Sequence, residues 1–204
     1  MARFGFFLGQ TRNDSIQKRI EEESQKHGDI VQIEMDDSYR NLTLKGIAVL
    51  NWVRQHCAKV DLVFKVDDDV YVNVHNLVHF VRSNYQSNNS VFGHAWGETY
   101  PHRYKDSKYY ISLEEYPWSN YPYNWLSGPA YFMHASVVIP LLAASQTTPL
   151  HPFEDVFLTG MCREKAGVKI RNSIDQRQQL WFMKPYFEGT HRFLFYRPIH
   201  QSPK

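Results

Sequence analysis

The sequence predicts an α/β domain built on a mainly parallel sheet with right-handed crossovers. Short apolar runs rich in β-branched residues alternate with amphipathic helical segments through the first half. The 204 residues are 43% hydrophobic and 22% charged, enough for one domain whose core needs no metal or disulfide staple. The stretch "VDLVFKVDDDVYVN", residues 60 to 73, sets three aspartates at the end of an apolar run. Open α/β sheets bind ligands at the carboxyl ends of their strands.

Each element has a local reason. Residues 4 to 8 read as a short buried strand. Asn13 or Asp14 caps a helix to about Lys26, with glutamates inside it and Gly28 as its stop. Residues 30 to 33 form a second strand, and "DDSYRN" is a polar loop. Over residues 42 to 57, Leu42, Ile47, Leu50, Val53 and Cys57 fall along one helical stripe. Residues 60 to 66 are a buried strand, 75 to 84 a helix with Leu77, Phe80 and Val81 inside, and 91 to 95 a strand. From 97 to 125 the pattern breaks into a segment rich in Tyr, Pro and charge, where "KDSK" offers the turn of one hairpin. "SGPAYFMH" gives a strand, Ser136 caps a helix to about Ala144, "HPFEDVFLTGMCREKAG" gives another helix, and 168 to 171 a strand.

The composition narrows the function. A net charge of +2 gives no strong field toward nucleic acid or an acidic membrane. The 13 Tyr, 13 Phe and 5 Trp supply faces that stack on bases, peptides or sugars alike. Cys57 and Cys162 allow one disulfide or none, and their spacing does not suit zinc. The Asn-x-Ser/Thr triplets at Asn13, Asn41 and Asn88 weakly favour a secretory route. No signal peptide opens the chain and no apolar stretch approaches the ~20 residues of a membrane span. A secretory protein's targeting segment would therefore lie outside this sequence.

Adjacent carboxylates repel, and burying them is costly. The triplet Asp67, Asp68 and Asp69 is thus either a solvated turn or a site for something positive. Its apolar flanks favour the second reading. Hard cations such as Mn²⁺ or Mg²⁺ take oxygen ligands and bridge carboxylates to a diphosphate. Lys65, two residues back, lies on the same strand face as Asp67. Glu154 and Asp155 open a helix, where acidic residues favour the helix dipole. Either could equally be a general base that removes a hydroxyl proton.

Several segments occur in a telling order: "FFLG", "HGDIVQIEMDDSYRNLTLKG", "WVRQHC", "FKVDDDVYVN", "YPYNWLSGPAYFMH" and "FEDVFLTGMCREKAGV". Together, over about residues 4 to 172, they resemble the β-1,3-galactosyltransferase and β-1,3-N-acetylglucosaminyltransferase family, glycosyltransferase family 31. The resemblance implies a GT-A fold with a Rossmann-like sheet, a UDP-sugar donor, Mn²⁺ or Mg²⁺, inversion at the anomeric carbon, and residence in the Golgi lumen. It implies that Asp67, Asp68 and Asp69 form the metal and nucleotide motif, with Asp67 and Asp69 as ligands and Asp69 the direct one. Asp155 becomes the base and Glu154 a substrate contact. Asp37 and Lys45 fall in the donor pocket. "YRPIHQSPK" resembles a C-terminal stretch whose histidine, His200, completes the metal site. The aromatic segment ending at Trp125 would help to bind a glycan acceptor on a glycoprotein or glycolipid.

The sequence also departs from the family pattern. An upstream segment with an Arg- and Trp-containing motif, the anchor and the stem are expected to be missing. Residues 1 to 204 would then be one catalytic domain without the first part of its donor site. "SGPAY" stands where a glycine-rich "GxGY" pattern is common, and several family cysteines are absent. The alternative reading is a truncated, non-catalytic isoform acting as a carbohydrate-binding or partner module. Galactose is the expected donor sugar on the family label alone.

Overall fold

The computed structural model describes residues 4–84, 86–121 and 123–172, and the backbone of Trp181–Met183. Strand β1 (Phe6–Gln10) leads to helix α1 (Asp14–His27), then β2 (Ile30–Asp36), α2 (Leu42–His56), β3 (Leu62–Val66), β4 (Val70–Val72), α3 (Val74–Asn84) and β5 (Ser90–Trp96). A long irregular segment precedes β6 (Trp125–His134) and α4 (Val138–Ser145). A π-helix (Val156–Cys162) runs into α5 (Arg163–Lys165), followed by β7 (Lys169–Asn172) and β8 (Trp181–Met183).

Local chemistry explains the boundaries. Asn13 caps α1: its Oδ1 accepts from the Ser15 and Ile16 N–H groups at 3.1 and 3.2 Å. Gly28, at φ 66°, ends the helix in the left-handed conformation, its N–H donating to Ser24 O at 2.8 Å. Helix α2 buries Leu50 and Val53, and also Thr43, whose hydroxyl donates to His151 O at 2.7 Å. The cap of the α4 segment is His134, not Ser136. As the last residue of β6, His134 accepts the Ser136 N–H at 3.1 Å on its Nδ1, at the head of a short 3₁₀ turn (Ala135–Val137).

The α/β class holds, and the sheets are mixed. Strands β1 and β2 pair in parallel, and β5 pairs with β7 in parallel. Strand β6, however, inserts antiparallel between β3 and β5, giving the order β3-β6-β5-β7. A parallel return needs a long crossover, usually a helix, and the described residues between 97 and 124 form no helix.

The expected hairpin at "KDSK" is instead a run of turns, with isolated bridges at Thr99–Tyr121 and His102–Tyr110. One side chain organises it. The Arg103 guanidinium donates to the carbonyls of Ile111 (2.8 Å), Ser112 (2.9 Å), Tyr116 (2.7 Å) and Trp118 (2.8 Å). These backbone acceptors have no sheet partner, and a planar fork with several donors can satisfy them together.

The main core packs α2, β6, α4 and the π-helix through Leu50, Leu126, Tyr131, Leu141, Phe157 and Leu158. A second cluster joins Ile111, Tyr116 and Tyr121 of the irregular segment to Phe153 and Val156. Cys57 and Cys162 are both free thiols. Among the described residues no helix is long and apolar enough to cross a membrane.

Candidate active site

Strand β3 pairs with β6 so that Lys65 lies opposite Tyr131 and Val66 opposite Ala130. At its carboxyl end the Asp67 N–H donates to Pro129 O at 2.9 Å, and the Val70 N–H returns to Asp67 O at 3.2 Å. The backbone therefore turns at the triplet, leaving Asp67 half-buried and Asp68 and Asp69 exposed. The Lys65 ammonium bonds to Asp67 Oδ1, donates to Gly128 O at 2.6 Å, and lies 5.8 Å from the Tyr131 ring centroid.

Glu154 and Asp155 reach this point from the other side. They form the turn that leads into the π-helix, a form often found as a local widening at functional sites. Asp155 accepts the Gly128 N–H at 3.0 Å on Oδ2 and the Val156 N–H at 2.8 Å on Oδ1. Thr159 pins the segment to the sheet: its hydroxyl donates to Asp155 O at 2.6 Å and accepts the Leu126 N–H at 2.8 Å. Glu154 is buried, at 8% exposure, and its Oε1 accepts from the Tyr131 hydroxyl. Two glycines allow this approach. A Cβ on Gly128 would lie 2.8 Å from Asp155 Oδ2, and one on Gly46 of α2 would lie 2.9 Å from Glu154 Cγ.

The electrostatics follow from one half-buried cation among three carboxyls. Burial pushes Glu154 up to about 7, with the Asp155 and Asp67 charges adding to it, against the pull of Lys65 and the Tyr131 hydroxyl. Burial also raises Asp155, opposed by the Val156 and Gly128 N–H groups and by Lys65. Burial raises Asp67 against Lys65, and its neighbours Asp69 and Asp68 raise it further. For Lys65, burial works against the ammonium, but Glu154, Asp67 and Asp155 outweigh it and hold the pKa above its usual value.

Asp37 and Lys45 form a separate pair. Lys45 Nζ donates to Asp37 Oδ1 at 2.6 Å, and the Gly9 N–H donates to Asp37 Oδ2 at 2.8 Å, so the end of β1 is fastened to α2. Burial opposes the Asp37 charge, but Lys45 and Gly9 prevail and hold the carboxyl below its usual range. Among the described residues no hydrogen bond or ion pair links this pair to the Lys65 cluster. Trp125 braces the irregular segment, its indole N–H donating to Thr99 Oγ1 at 3.0 Å and its ring lying 6.1 Å from that of Trp96. His200 lies outside the described residues. Among the described residues no group of three or more His, Cys, Asp or Glu is arranged to hold a metal.

The sequence reading missed Gly128, Tyr131 and Tyr39. Gly128 and Tyr131 matter through their register with β3, which no local pattern encodes. Tyr39 stands on a short 3₁₀ turn (Tyr39–Asn41), 45% exposed. Burial, the nearby Tyr109 and the charges of Asp155 and Asp67 push its hydroxyl up to about 12. Lys108 Nζ sits 5.9 Å from the Tyr39 ring and 4.8 Å from the Tyr109 ring. The Arg40 guanidinium pairs with Glu115 and donates to Tyr110 O at 3.2 Å, so the β2–α2 loop and the irregular segment meet beside the carboxylates.

The fold is an α/β sheet whose strand end gathers Asp67, Glu154 and Asp155 around Lys65. The chain belongs to the galactosyltransferase family, whose model matches residues 1–174. It is 32% identical over 188 residues to beta-1,3-galactosyltransferase 5 of Pan paniscus, covering 92% of this chain and 60% of that protein. It is 36% identical over 187 residues to beta-1,3-galactosyltransferase brn of Drosophila melanogaster, covering 90% of this chain and 55% of the relative. It is 39% identical over 168 residues to UDP-GlcNAc:betaGal beta-1,3-N-acetylglucosaminyltransferase 7 of Rattus norvegicus, covering 80% and 42%. The chain thus spans about three fifths of the first of these curated relatives and less of the others.

Proposed function

We propose that the chain is an inverting hexosyltransferase of the GT-A type. It moves galactose, or another hexose or N-acetylhexosamine, from a UDP-sugar to a glycan hydroxyl in β-1,3 linkage. The observation that carries this reading is the convergence of Asp67 with Glu154 and Asp155 on Lys65. One group of carboxylates faces the leaving diphosphate, and the other supplies a base within the same cleft.

Asp155 is the base. Its carboxylate is half-buried and oriented by the Gly128 and Val156 N–H groups, whereas Glu154 is sealed and holds the Tyr131 hydroxyl. A carboxylate fixed in this way can take the acceptor proton as the oxygen attacks the anomeric carbon. What supports a hard divalent cation here is donor chemistry: the triplet offers only carboxylate oxygens, and no described ion pair engages Asp68 or Asp69. Asp67 is held by Lys65, and the described residues alone close no three-ligand site. Asp67 and Asp69 would hold Mn²⁺ or Mg²⁺, with His200 as the further ligand. When bound, the cation neutralises charge on the departing diphosphate.

Asp37 and Lys45 line the donor side of this proposal. On the acceptor side, Tyr39, Tyr109 and Trp118 offer exposed aromatic faces for the glycan of a glycoprotein or glycolipid, with Trp125 bracing the segment beneath. The Golgi lumen is the matching compartment.

The test is calorimetric titration of UDP into the purified chain with and without Mn²⁺, beside an Asp69→Ala control. Binding that needs both the metal and Asp69 supports the reading and justifies a screen of UDP-sugars. No binding by a demonstrably folded chain overturns it and leaves the non-catalytic module.

A further inference from the structure

One peptide unit on each side of Gly128 touches both halves of the site. The Gly128 carbonyl accepts from Lys65 Nζ at 2.6 Å, and the same ammonium bonds Asp67 Oδ1. The Gly128 N–H donates to Asp155 Oδ2 at 3.0 Å. A continuous path therefore runs from the triplet, through Lys65, across the Gly128 backbone, to the second carboxylate. Neighbouring bonds hold it in place. Asp67 N–H meets Pro129 O at 2.9 Å, and the Lys65–Tyr131 pairing fixes the β3–β6 register.

We propose that Lys65 and Gly128 are positioning residues that form a bridge, setting the Asp155 carboxylate relative to the Asp67 turn. This rests on the transferase reading given above. Lys65 touches the triplet directly, so its loss reaches both donor binding and the base. Gly128 touches the triplet only through Lys65 but meets Asp155 head-on, so its substitution reaches the base alone. Its lack of a side chain is part of the device. A Cβ there would lie 2.8 Å from Asp155 Oδ2 and 3.3 Å from its Cγ, so an alanine pushes that carboxylate aside. The displaced atoms belong to a side chain that can swing, which leaves the β3–β6 pairing in place.

The two variants therefore separate binding from turnover. With Gly128→Ala, turnover of UDP-galactose against a panel of glycan acceptors falls about 100-fold, as a small misplacement of a catalytic group can cost. Its Kd for UDP with Mn²⁺ stays within about two-fold of wild type. With Lys65→Met, both turnover and UDP affinity fall.

A second readout needs no ligand: a double-variant cycle of Lys65→Met with Gly128→Ala in urea unfolding. Gly128→Ala keeps the carbonyl that Lys65 grips and moves only the Asp155 carboxylate, so coupling between the two shows that Asp155 and Lys65 are energetically linked, as the bridge requires. The double variant's unfolding constant should depart by about three-fold or more from the product of the single effects. The bridge is overturned if Gly128→Ala leaves turnover intact, if it weakens UDP binding as much as it slows turnover, or if the cycle is multiplicative. Should the folded wild type bind no UDP, the transferase reading fails. The unfolding cycle then still decides the bridge.

Discussion

Glu154 is a buried carboxyl that folding leaves poorly solvated, and Glu154→Gln isolates that cost. Its pKa rises from 4.5 to about 7 in the fold, with burial the largest cause. The folded state thus holds a proton that the unfolded chain gives up. Below pH 4.5 both states are protonated and the group's contribution to stability is fully present. That contribution is lost as the pH rises through about 7. At 1.36 kcal/mol per pH unit, the gap between 4.5 and about 7 gives about 3 kcal/mol. Glutamine keeps an acceptor for the Tyr131 hydroxyl and has no proton to lose. The variant should therefore match wild type near pH 4.5 and exceed it by up to about 3 kcal/mol at pH 8. Urea unfolding followed by circular dichroism at pH 4.5, 6, 7 and 8 measures the difference. A gap independent of pH, or one that favours wild type at pH 8, refutes the reasoning.

Asp155→Asn keeps one oxygen acceptor for the Gly128 N–H but turns its NH2 toward the Val156 N–H. It should fold with stability lowered by about 1 kcal/mol and bind UDP like wild type, while lowering turnover at least ~100-fold in a radiolabelled-transfer assay. Asp37→Ala should destabilise the chain by about 1 kcal/mol in urea, because it leaves the Gly9 N–H and Lys45 without their acceptor at a partly exposed site. Asp37 titrates below its usual range, so this difference should be present above pH 3.8 and fade as the pH falls through the lowered folded value. Arg103→Ala should release the carbonyls of Ile111, Ser112, Tyr116 and Trp118, and limited proteolysis read by mass spectrometry should then cut within residues 97 to 124 at least ~10-fold faster.

The local part of this fold was legible because its causes are local. Asn13 and Gly28 bracket α1 through their own backbone and side-chain chemistry, and Leu50 and Val53 mark the inner face of α2 by spacing alone. The direction of β6 was not legible. "SGPAYFMH" reads as a strand whichever way it runs, and its antiparallel course follows from how 97 to 124 is held together. That segment looked like a hairpin because its turn residues are real. Its organiser is one arginine whose partners are backbone carbonyls, which leave no trace in side-chain patterning. At the site, Asp67 stood out because its triplet ends an apolar run, whereas the Glu154–Asp155 pair could be read from sequence either as acids favouring a helix dipole or as a base. Tyr131 was hidden because it looks like any core aromatic until Lys65 is placed across from it.

The reversed strand is also what makes the site possible. Had β6 run parallel to β3, the connection into it would have entered beside Leu62, at the far end from the triplet. Running antiparallel, β6 brings Gly128, Pro129 and Tyr131 to the carboxyl end of β3, where their backbone and hydroxyl groups meet Asp67, Lys65 and Glu154. Residues after β6 then fold back through α4, and the π-helix, anchored by Thr159 to Leu126 of β6, fixes Asp155 against Gly128. The acidic triplet and the second carboxylate pair are far apart in sequence and share no element. A single antiparallel strand serves both: its Gly128 and Pro129 carbonyls meet Lys65 and Asp67, while its Gly128 N–H and Tyr131 hydroxyl meet Asp155 and Glu154. The same topology accounts for the tolerance of three buried or half-buried carboxyls: each has a donor from β6 or β3, so none is left as an isolated charge.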